Sequence, residues 1–377
     1  VKTAGIIAEF NPFHDGHRYL IQRVREEAGA GRVVAVMSGD FTQRGYPAAE
    51  DKWIRAEKAV RSGVDLVLEL PAVYACASAP YFASAGVGIL EGTGIVDLLA
   101  FGSESGEAEW FRSSASFFRE HREQVNAMTA ELTRKGMSYP SAREQAARDL
   151  HAGFSLEELA EPNNILGLEY ASCARTMELF TVRRRGSGHH ETGTMLREKM
   201  RMRQPERFRQ AEAAYFHLAA AKILETEESV LENVASAGGG LGHLLKKRIR
   251  DTGNVDELID CVKSKVYTRT RISRMIAQTL LGVTKADLES GVLYARVLAA
   301  GEAGTAFLRQ AAEVSGIPIL TNINREADRY PAIRRLLSVD ILASDLYNLI
   351  WGNDLYRSSD FIKHPYIVAP DRPSNEI

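Results

Sequence analysis

The sequence predicts an α/β fold: a doubly wound parallel sheet followed by a mostly helical C-terminal region. Three observations carry this. Short apolar runs in the first third lack period-2 alternation and are separated by helical patterns, as expected for parallel strands covered on both faces. After about Met195 strand signals fade and helical patterns, many of them basic, take over. The first apolar run also ends in a polar stretch, AEFNPFHDGHRYLI (8–21), at the point where open α/β sheets bind ligands.

The elements follow in order. AGIIAEF (4–10) is the first strand, and HRYLIQRVREEAG (17–29) has helical spacing. RVVAVMSG (32–39) is the second strand; EDKWIRAEKAVRSG (50–63) is an amphipathic helix closed by Gly63. VDLVLELP (64–71) is a third strand stopped by Pro71, ASAPYFASAGVGILEGTG (77–94) a helix rich in small residues, and VDLLAFGSESG (96–106) the fourth strand. Helical patterns cover 107–135, 139–152 and 163–178, and LFTVRRRGSGHH (179–190) reads as a last strand entering a polar loop. Segments 204–225, 241–250, 255–265 and 268–281 are helical. PILTNIN (318–324) and ASDLYNLIW (343–351) suggest that the C-terminal part also packs back as a small α/β or helical unit, and the tail after His364 is expected to be unstructured.

Composition narrows the function classes. The chain has 377 residues, 45% hydrophobic and 25% charged, enough for two domains. It has no 18-residue apolar run and no secretory leader at its start, so no membrane partner is expected. Cys76, Cys173 and Cys261 are scattered, which fits reduced thiols in a cytoplasm and argues against a zinc ribbon or disulfide framework. The net charge of −2 hides an asymmetry: residues 181–275 hold 19 Lys/Arg against 12 Asp/Glu, or +7, leaving −9 elsewhere. Such a split suggests that one part meets a polyanion.

The chemistry sits in NPFHDGH (11–17). A helix N-terminus offers unpaired N–H groups and a partial positive charge to anions, phosphate above all. Gly16 permits close backbone approach, and His14 and His17, three apart, share a helical face. Their ring N–H groups can steady charge developing on a phosphate as pyrophosphate leaves. Two other readings stay open. The histidines could ligate a metal with Glu9, although helical zinc pairs are more often four apart. Or the stretch could be a plain cap, with Asn11 capping and Pro12 opening the helix. There is no GxxxxGK[ST], and no strand precedes AGGGLG (237–242).

NPFHDGH resembles the signature of the HIGH-type nucleotidyltransferases, which attack the α-phosphate of a nucleoside triphosphate. GIIAEFNPFHDGHRYLI, VVAVMSGDFTQRGYPA, DKWIRAEKAVRSGVDLVLELP, LLAFGSESG, EPNNILGLEY and GSGHH together look like the bacterial tRNA(Met) cytidine acetate ligase family. The likeness covers the first 190 residues closely and the helical part, with VYTRTRISRM, more loosely. It implies a HIGH-type nucleotidyltransferase sheet in a 1–200 ATP-binding catalytic domain and a 201–377 tRNA-binding region. It implies that Ile7, Ala8, Glu9, Phe10, Asn11, Pro12, Phe13, His14, Asp15, Gly16, His17, Arg18, Tyr19 and Leu20 wrap ATP, with His14 and His17 at the phosphates. Gly102, Asn163 and Arg184 would also touch the nucleotide, and Arg44 (after Gln43) and Lys52 would be phosphate or acetate contacts. Mg²⁺ is expected to accompany ATP. One departure stands out: the serine/threonine-rich segment usual in such enzymes is short here, with Thr194 and Arg197 as its candidate remnant. The implied reaction joins acetate to AMP and then acetylates N4 of the wobble cytidine of elongator tRNA(Met). Arg269, Arg271 and Arg274 are the expected tRNA-backbone contacts. The rivals are a small-molecule nucleotidyltransferase, made less attractive by the extra basic region, and a non-catalytic nucleotide- or RNA-binding protein.

Overall fold

The early apolar runs become the centre of one sheet. The computed structural model describes residues 1–137, 139–184 and 192–368. The first strands and helices run β1 (Thr3–Ala8), α1 (Asp15–Glu27), β2 (Arg32–Ser38), α2 (Lys52–Arg61), β3 (Leu66–Leu70), α3 (Ala72–Ala75), α4 (Ala79–Gly92) and β4 (Leu98–Ser103). Then come α5 (Ala108–Glu120), α6 (Arg122–Arg134), α7 (Tyr139–Asp149), α8 (Pro162–Cys173) and β5 (Glu178–Arg183). These five strands pair in parallel in the order β5-β4-β1-β2-β3. Strand order therefore reverses on either side of β1, and the crevice at such a switch point opens at the carboxyl end of β1, just before the histidines.

Both faces of the sheet are covered, which is why its strands read as continuous apolar runs. Ala4 and Ile6 of β1 share one core layer with Ile21 and Val24 of α1 and with Trp53, Ala56 and Val60 of α2. The other face packs on α4 and α8. The small residues of α4 have a steric cause: a Cβ on Gly86 would come within 2.8 Å of Ile7, and one on Gly5 within 2.6 Å of Leu90. Helix and strand close to a distance that larger side chains would forbid.

The C-terminal part contains α9 (Gly193–Arg203), α10 (Pro205–Glu225), α11 (Glu228–Leu231), α12 (Leu241–Arg248), α13 (Val255–Val262), α14 (Arg269–Leu281) and α15 (Lys285–Glu289). It then adds β6 (Ala295–Ala300), α16 (Glu302–Val314), β7 (Ile319–Leu320), α17 (Ile323–Arg329), α18 (Arg334–Ile350), α19 (Ser359–Ile362) and β8 (Tyr366–Ile367). The C-terminal region is mostly helical as expected, and it also returns three strands to the sheet. β6 pairs antiparallel with β3, Leu66 opposite Ala300, and carries β7 and β8 beside it. All six residues of ARVLAA are buried, but its three alanines weaken any strand reading. The short β8 also lies in the tail expected to be unstructured; residues 369–377 lie outside the described residues.

Where the two parts of the chain meet, charges are buried. Lys52 Nζ reaches Glu69 of β3 at 2.8 Å and Asp360 of α19 at 3.0 Å, with Asp40 at 3.6 Å. Arg296 of β6 also binds Asp360, at 2.6 Å. Burial opposes the charge on Asp360, but Lys52 and Arg296 hold its carboxyl below the usual carboxylate range.

Candidate active site

The turn from β1 into α1 is built by side chains that tie its backbone down. Phe10 has a left-handed φ of 46°, uncommon for a large residue, and its buried ring packs on Phe13 at 5.0 Å and edge-on to His17 at 4.9 Å. The next peptide, Asn11–Pro12, is cis. Asn11 Oδ1 accepts from the Ala49 N–H at 2.8 Å, so Asn11 anchors the turn to the segment before α2 rather than capping α1. Arg55, fully buried on α2, donates to the carbonyls of Glu9 (2.6 Å), Ser38 (3.0 Å), Glu50 (2.9 Å) and Gly39. It fixes the carboxyl ends of β1 and β2 at once; nothing in its sequence context marked that role.

The cap of α1 is His14 itself. Its Nδ1 accepts the Gly16 N–H at 3.1 Å, and His17 Nδ1 accepts the His14 N–H at 3.2 Å, a capping box made of two imidazoles. The rings stack at 3.7 Å. Gly16 has a second reason to be glycine, since a Cβ there would sit 3.0 Å from the His14 ring. An Nδ1 that accepts a backbone N–H carries no proton, so the proton of each neutral ring is on Nε2. Among the described residues neither Nε2 has a protein partner and neither is sealed from solvent. Burial first, and then Arg184, lowers the His14 pKa to about 4; burial and then His14 push His17 well below its ordinary value. The site therefore presents two neutral N–H donors side by side.

Cations collect around them. Arg197 donates to the Asn11 carbonyl at 2.7 Å and to Thr194 Oγ1 at 3.1 Å, which brings the candidate remnant Thr194/Arg197 onto the histidine turn. Burial, then Arg44, disfavours the charge on Arg197. Arg184 follows β5, its stem 3.5 Å from where a Cβ on Gly102 would lie. The Arg44 and Arg184 guanidiniums have no partner among the described residues. Residues 185–191, which hold the rest of RRRGSGHH, lie outside the described residues. Asn163, at the start of α8, donates to Glu104 at 2.5 Å, while Asn164 accepts from the Glu104 N–H at 3.0 Å. Asn163 is thereby held against the loop that follows Gly102.

The chain as a whole is similar to known proteins. The model of the HIGH Nucleotidyl Transferase family matches residues 1–201 and 192–360. The tRNA(Met) cytidine acetate ligase of Syntrophotalea carbinolica is 34% identical over 97% of this chain and 98% of its own length. That of Acetivibrio thermocellus is 31% identical over 95% and 97%. The chain belongs to the tRNA(Met) cytidine acetate ligase family, within the HIGH nucleotidyltransferases. A crystal structure of Thermotoga maritima TmcAL bound with alpha-thio ATP superposes with a TM-score of 0.89, at 29% identity, covering 98% of this chain and 100% of that one.

Against this family background, two expectations need correction. Lys52 is not available as a phosphate or acetate contact: it begins α2 but has no exposed surface, and its ammonium is used by carboxylates. It stabilises the fold and cannot reach a phosphate. Nor do Arg269, Arg271 and Arg274 form a free basic face. Arg269 is bound by Asp256 and Asp260. Arg271 donates to the carbonyls of Ser236 (3.1 Å) and Gly238 (3.3 Å). Arg274 is turned inward, its Nε buried. The reason is packing: α14 buries nine residues at the centre of the helical part, so few of its side chains can face solvent.

No group of three or more His, Cys, Asp or Glu among the described residues could hold a metal ion. Asp15 pairs with Arg18 at 2.7 Å, and Glu9 Oε1 accepts the Gln43 N–H at 2.7 Å. No helix among the described residues is long and apolar enough to cross a membrane.

Proposed function

We propose that this chain is an ATP-dependent ligase that converts acetate and ATP to acetyl-adenylate and pyrophosphate, then transfers the acetyl group to N4 of the wobble cytidine of elongator tRNA(Met), releasing AMP. The observation that carries the reading is the pair of neutral imidazoles whose Nδ1 atoms are held by backbone N–H groups and whose Nε2–H groups are open, with Arg184 and Arg197 acting on His14 and Arg44 on Arg197. The names of its relatives agree with it.

The proposed chemistry is positioning and charge stabilisation. A carboxylate oxygen of acetate attacks the α-phosphorus, and the bond to the pyrophosphate oxygen breaks. Nε2–H of His14 and of His17 donate to phosphate oxygens as charge shifts onto the leaving group, with Arg184 and Arg197 beside them. The cytidine amine then attacks the acyl carbon, the bond to AMP breaks and the amine loses a proton. The target base must be splayed from the anticodon loop, as single-stranded RNA recognition requires. In this reading residues 1–200 supply the nucleotide site and 201–377 bind tRNA in the cytoplasm. With Arg269 paired to Asp256 and Asp260, Arg271 bound to backbone carbonyls and Arg274 turned inward, the backbone contacts of the 201–377 region fall to the exposed Lys247, Arg248 and Arg250.

The test is incubation with ATP, labelled acetate and unfractionated tRNA. Label recovered as an acetylated cytidine supports the proposal. AMP transfer to a small molecule, with no label in RNA, would favour a small-molecule nucleotidyltransferase instead.

A further inference from the structure

Helix α9 leaves the histidine turn without burying a side of its own. Not one of its eleven residues, GTMLREKMRMR, is buried. Its start is nevertheless fixed to the site. Arg197 donates to the Asn11 carbonyl at 2.7 Å, and a Cβ on Gly193 would lie 3.6 Å from that carbonyl oxygen and 3.7 Å from the His14 ring. Met195 and Met202, seven apart, lie on one side of the helix with Lys199 between them, and are 44% and 78% exposed. The helix carries Arg197, Lys199, Arg201 and Arg203 against Glu198, a net +3. Arg203 has no partner among the described residues, and Arg201 pairs with Glu212 at the surface.

The far end of α9 meets a second arm of the same rim. Arg201 lies over the Phe208 ring of α10 at 5.8 Å, Phe208 meets Trp351 edge-on at 5.0 Å, and the exposed Arg207 lies over Trp351 at 5.3 Å. Trp351 is only partly buried; its Nε1–H donates to the Ala48 carbonyl at 3.2 Å, and the next residue, Ala49, is the one that holds the Asn11 side chain. Two chains of contact thus lead outward from Asn11, one from its carbonyl along α9 and one from its side chain to Trp351. They meet where α9 bends into α10. At about 1.5 Å per residue α9 is about 15 Å long, so its outer face stays within about 20 Å of the His14 ring.

Adenylation leaves the acyl group beside the α-phosphate, at the histidines. An amine that attacks it must arrive over this rim, and the strand on either side of the target base must cross what borders it. Single-stranded RNA needs cations for its phosphates and flat or polarisable surface for its unstacked bases. The rim offers both: Arg203 and Arg207 for phosphates, and the Met195 and Met202 thioethers and Trp351 for bases, since a methionine sulfur packs favourably on an aromatic ring. A second copy of the chain is a poorer occupant, because a two-fold contact would set one +3 helix against another. We propose that the outer face of α9, with Arg207 and Trp351, holds the single-stranded RNA that flanks the target cytidine. This rests on the ligase reading. It starts the RNA surface inside the first 200 residues, against the histidine turn, and leaves Lys247, Arg248 and Arg250 to hold the tRNA backbone elsewhere.

The test is acetyl transfer by the full chain to a tRNA(Met) transcript, with KM for tRNA and tRNA binding across salt concentrations, beside RNA-free acetate-dependent ATP–pyrophosphate exchange. Arg203→Gln with Arg207→Gln should lower the salt slope of tRNA binding by about 1.4, at about 0.7 for each phosphate contact to a single strand. Met202→Ser should raise the tRNA KM about two- to tenfold with the slope unchanged, and Met202→Leu, which keeps the apolar surface, should recover part of the loss. All three side chains are exposed, so the variants should fold as the native protein does, and exchange without RNA should stay at the native level. An unchanged tRNA KM and salt slope in both sets of variants would overturn the proposal and leave α9 a solvated helix. A raised ATP KM with an unchanged tRNA KM would make α9 a cover for the nucleotide and overturn it too. A native dimer turned to monomer by Met202→Ser, read by sedimentation, would assign the face to a second copy and overturn it as well. Absence of acetate-dependent exchange in the unmodified protein would instead remove the ligase reading, and this proposal with it.

Discussion

His17 has two jobs that can be pulled apart by substitution, because its two ring nitrogens do different things. Nδ1 accepts the His14 N–H at 3.2 Å and closes the cap of α1; Nε2–H is the donor left open to a ligand. Asparagine can place a carbonyl oxygen near Nδ1 but has nothing at Nε2. Glutamine can place an amide N–H near Nε2 and leaves the cap open. Loss of a capping acceptor costs about 0.5–2 kcal/mol of stability. Loss of a donor to transition-state charge costs about 3 kcal/mol, or about a hundredfold in rate. His17→Asn should therefore fold with near-native stability and lose about two orders of magnitude in acetate-dependent ATP–pyrophosphate exchange. His17→Gln should be less stable, by about 1 kcal/mol in a urea titration, and keep more activity than the asparagine variant. Equal activity in the two variants, or an asparagine variant as active as the native protein, would refute the assignment of Nε2 as the working atom.

Three more outcomes follow from the same structure. In the ligand-free protein the His14 ring should stay neutral down to about pH 5 when followed by NMR. Unfolded histidine takes up its proton near pH 6.5, so the native state binds fewer protons below that pH, and stability should fall as pH drops from about 6.5 toward 4; a His14 titration at its ordinary value would contradict a ring kept neutral by burial and by the nearby arginines. Lys52→Met leaves Glu69 and Asp360 with only Arg296 and takes the ammonium from Asp40, and should cost about 3–5 kcal/mol in urea unfolding; a loss below about 1 kcal/mol would show that the cluster rearranges freely. Replacing Lys247 and Arg250 by alanine should lower the salt slope of tRNA binding by between about one and two and leave acetyl-adenylate formation intact; an unchanged slope would move the RNA surface elsewhere.

The parallel strands were legible because burial on both faces leaves unbroken apolar runs, and the histidine turn because its residue types are rare at a strand end. What the linear pattern could not carry was pairing at a distance. Lys52 looks like a helix-start cation; only the fold brings Asp360 to it across some 300 positions. Arg271 and Arg274 have the spacing of a shared exposed face, but α14 sits at the centre of the helical part and turns that face inward. β6 escaped notice because a buried interior strand rich in alanine looks like neither an alternating nor a β-branched run. Arg55 gave no signal at all, since an arginine that serves only backbone carbonyls looks like any other helix arginine.

The strand that covers β3 is made late. During synthesis, β1 to β3 emerge first, and their outer edge must wait roughly 220 residues, on the order of ten to forty seconds, for β6. Through that interval β3 is an apolar edge with free N–H and C=O groups, the kind of template on which other chains pair. Lys52 and Glu69 are already present, and Asp360 arrives last, so the nascent sheet carries its own charged border until the closing residues replace it. A ribosome-bound chain halted before Ala295 should accordingly be a chaperone client, and one extended past Ile362 should be released from it.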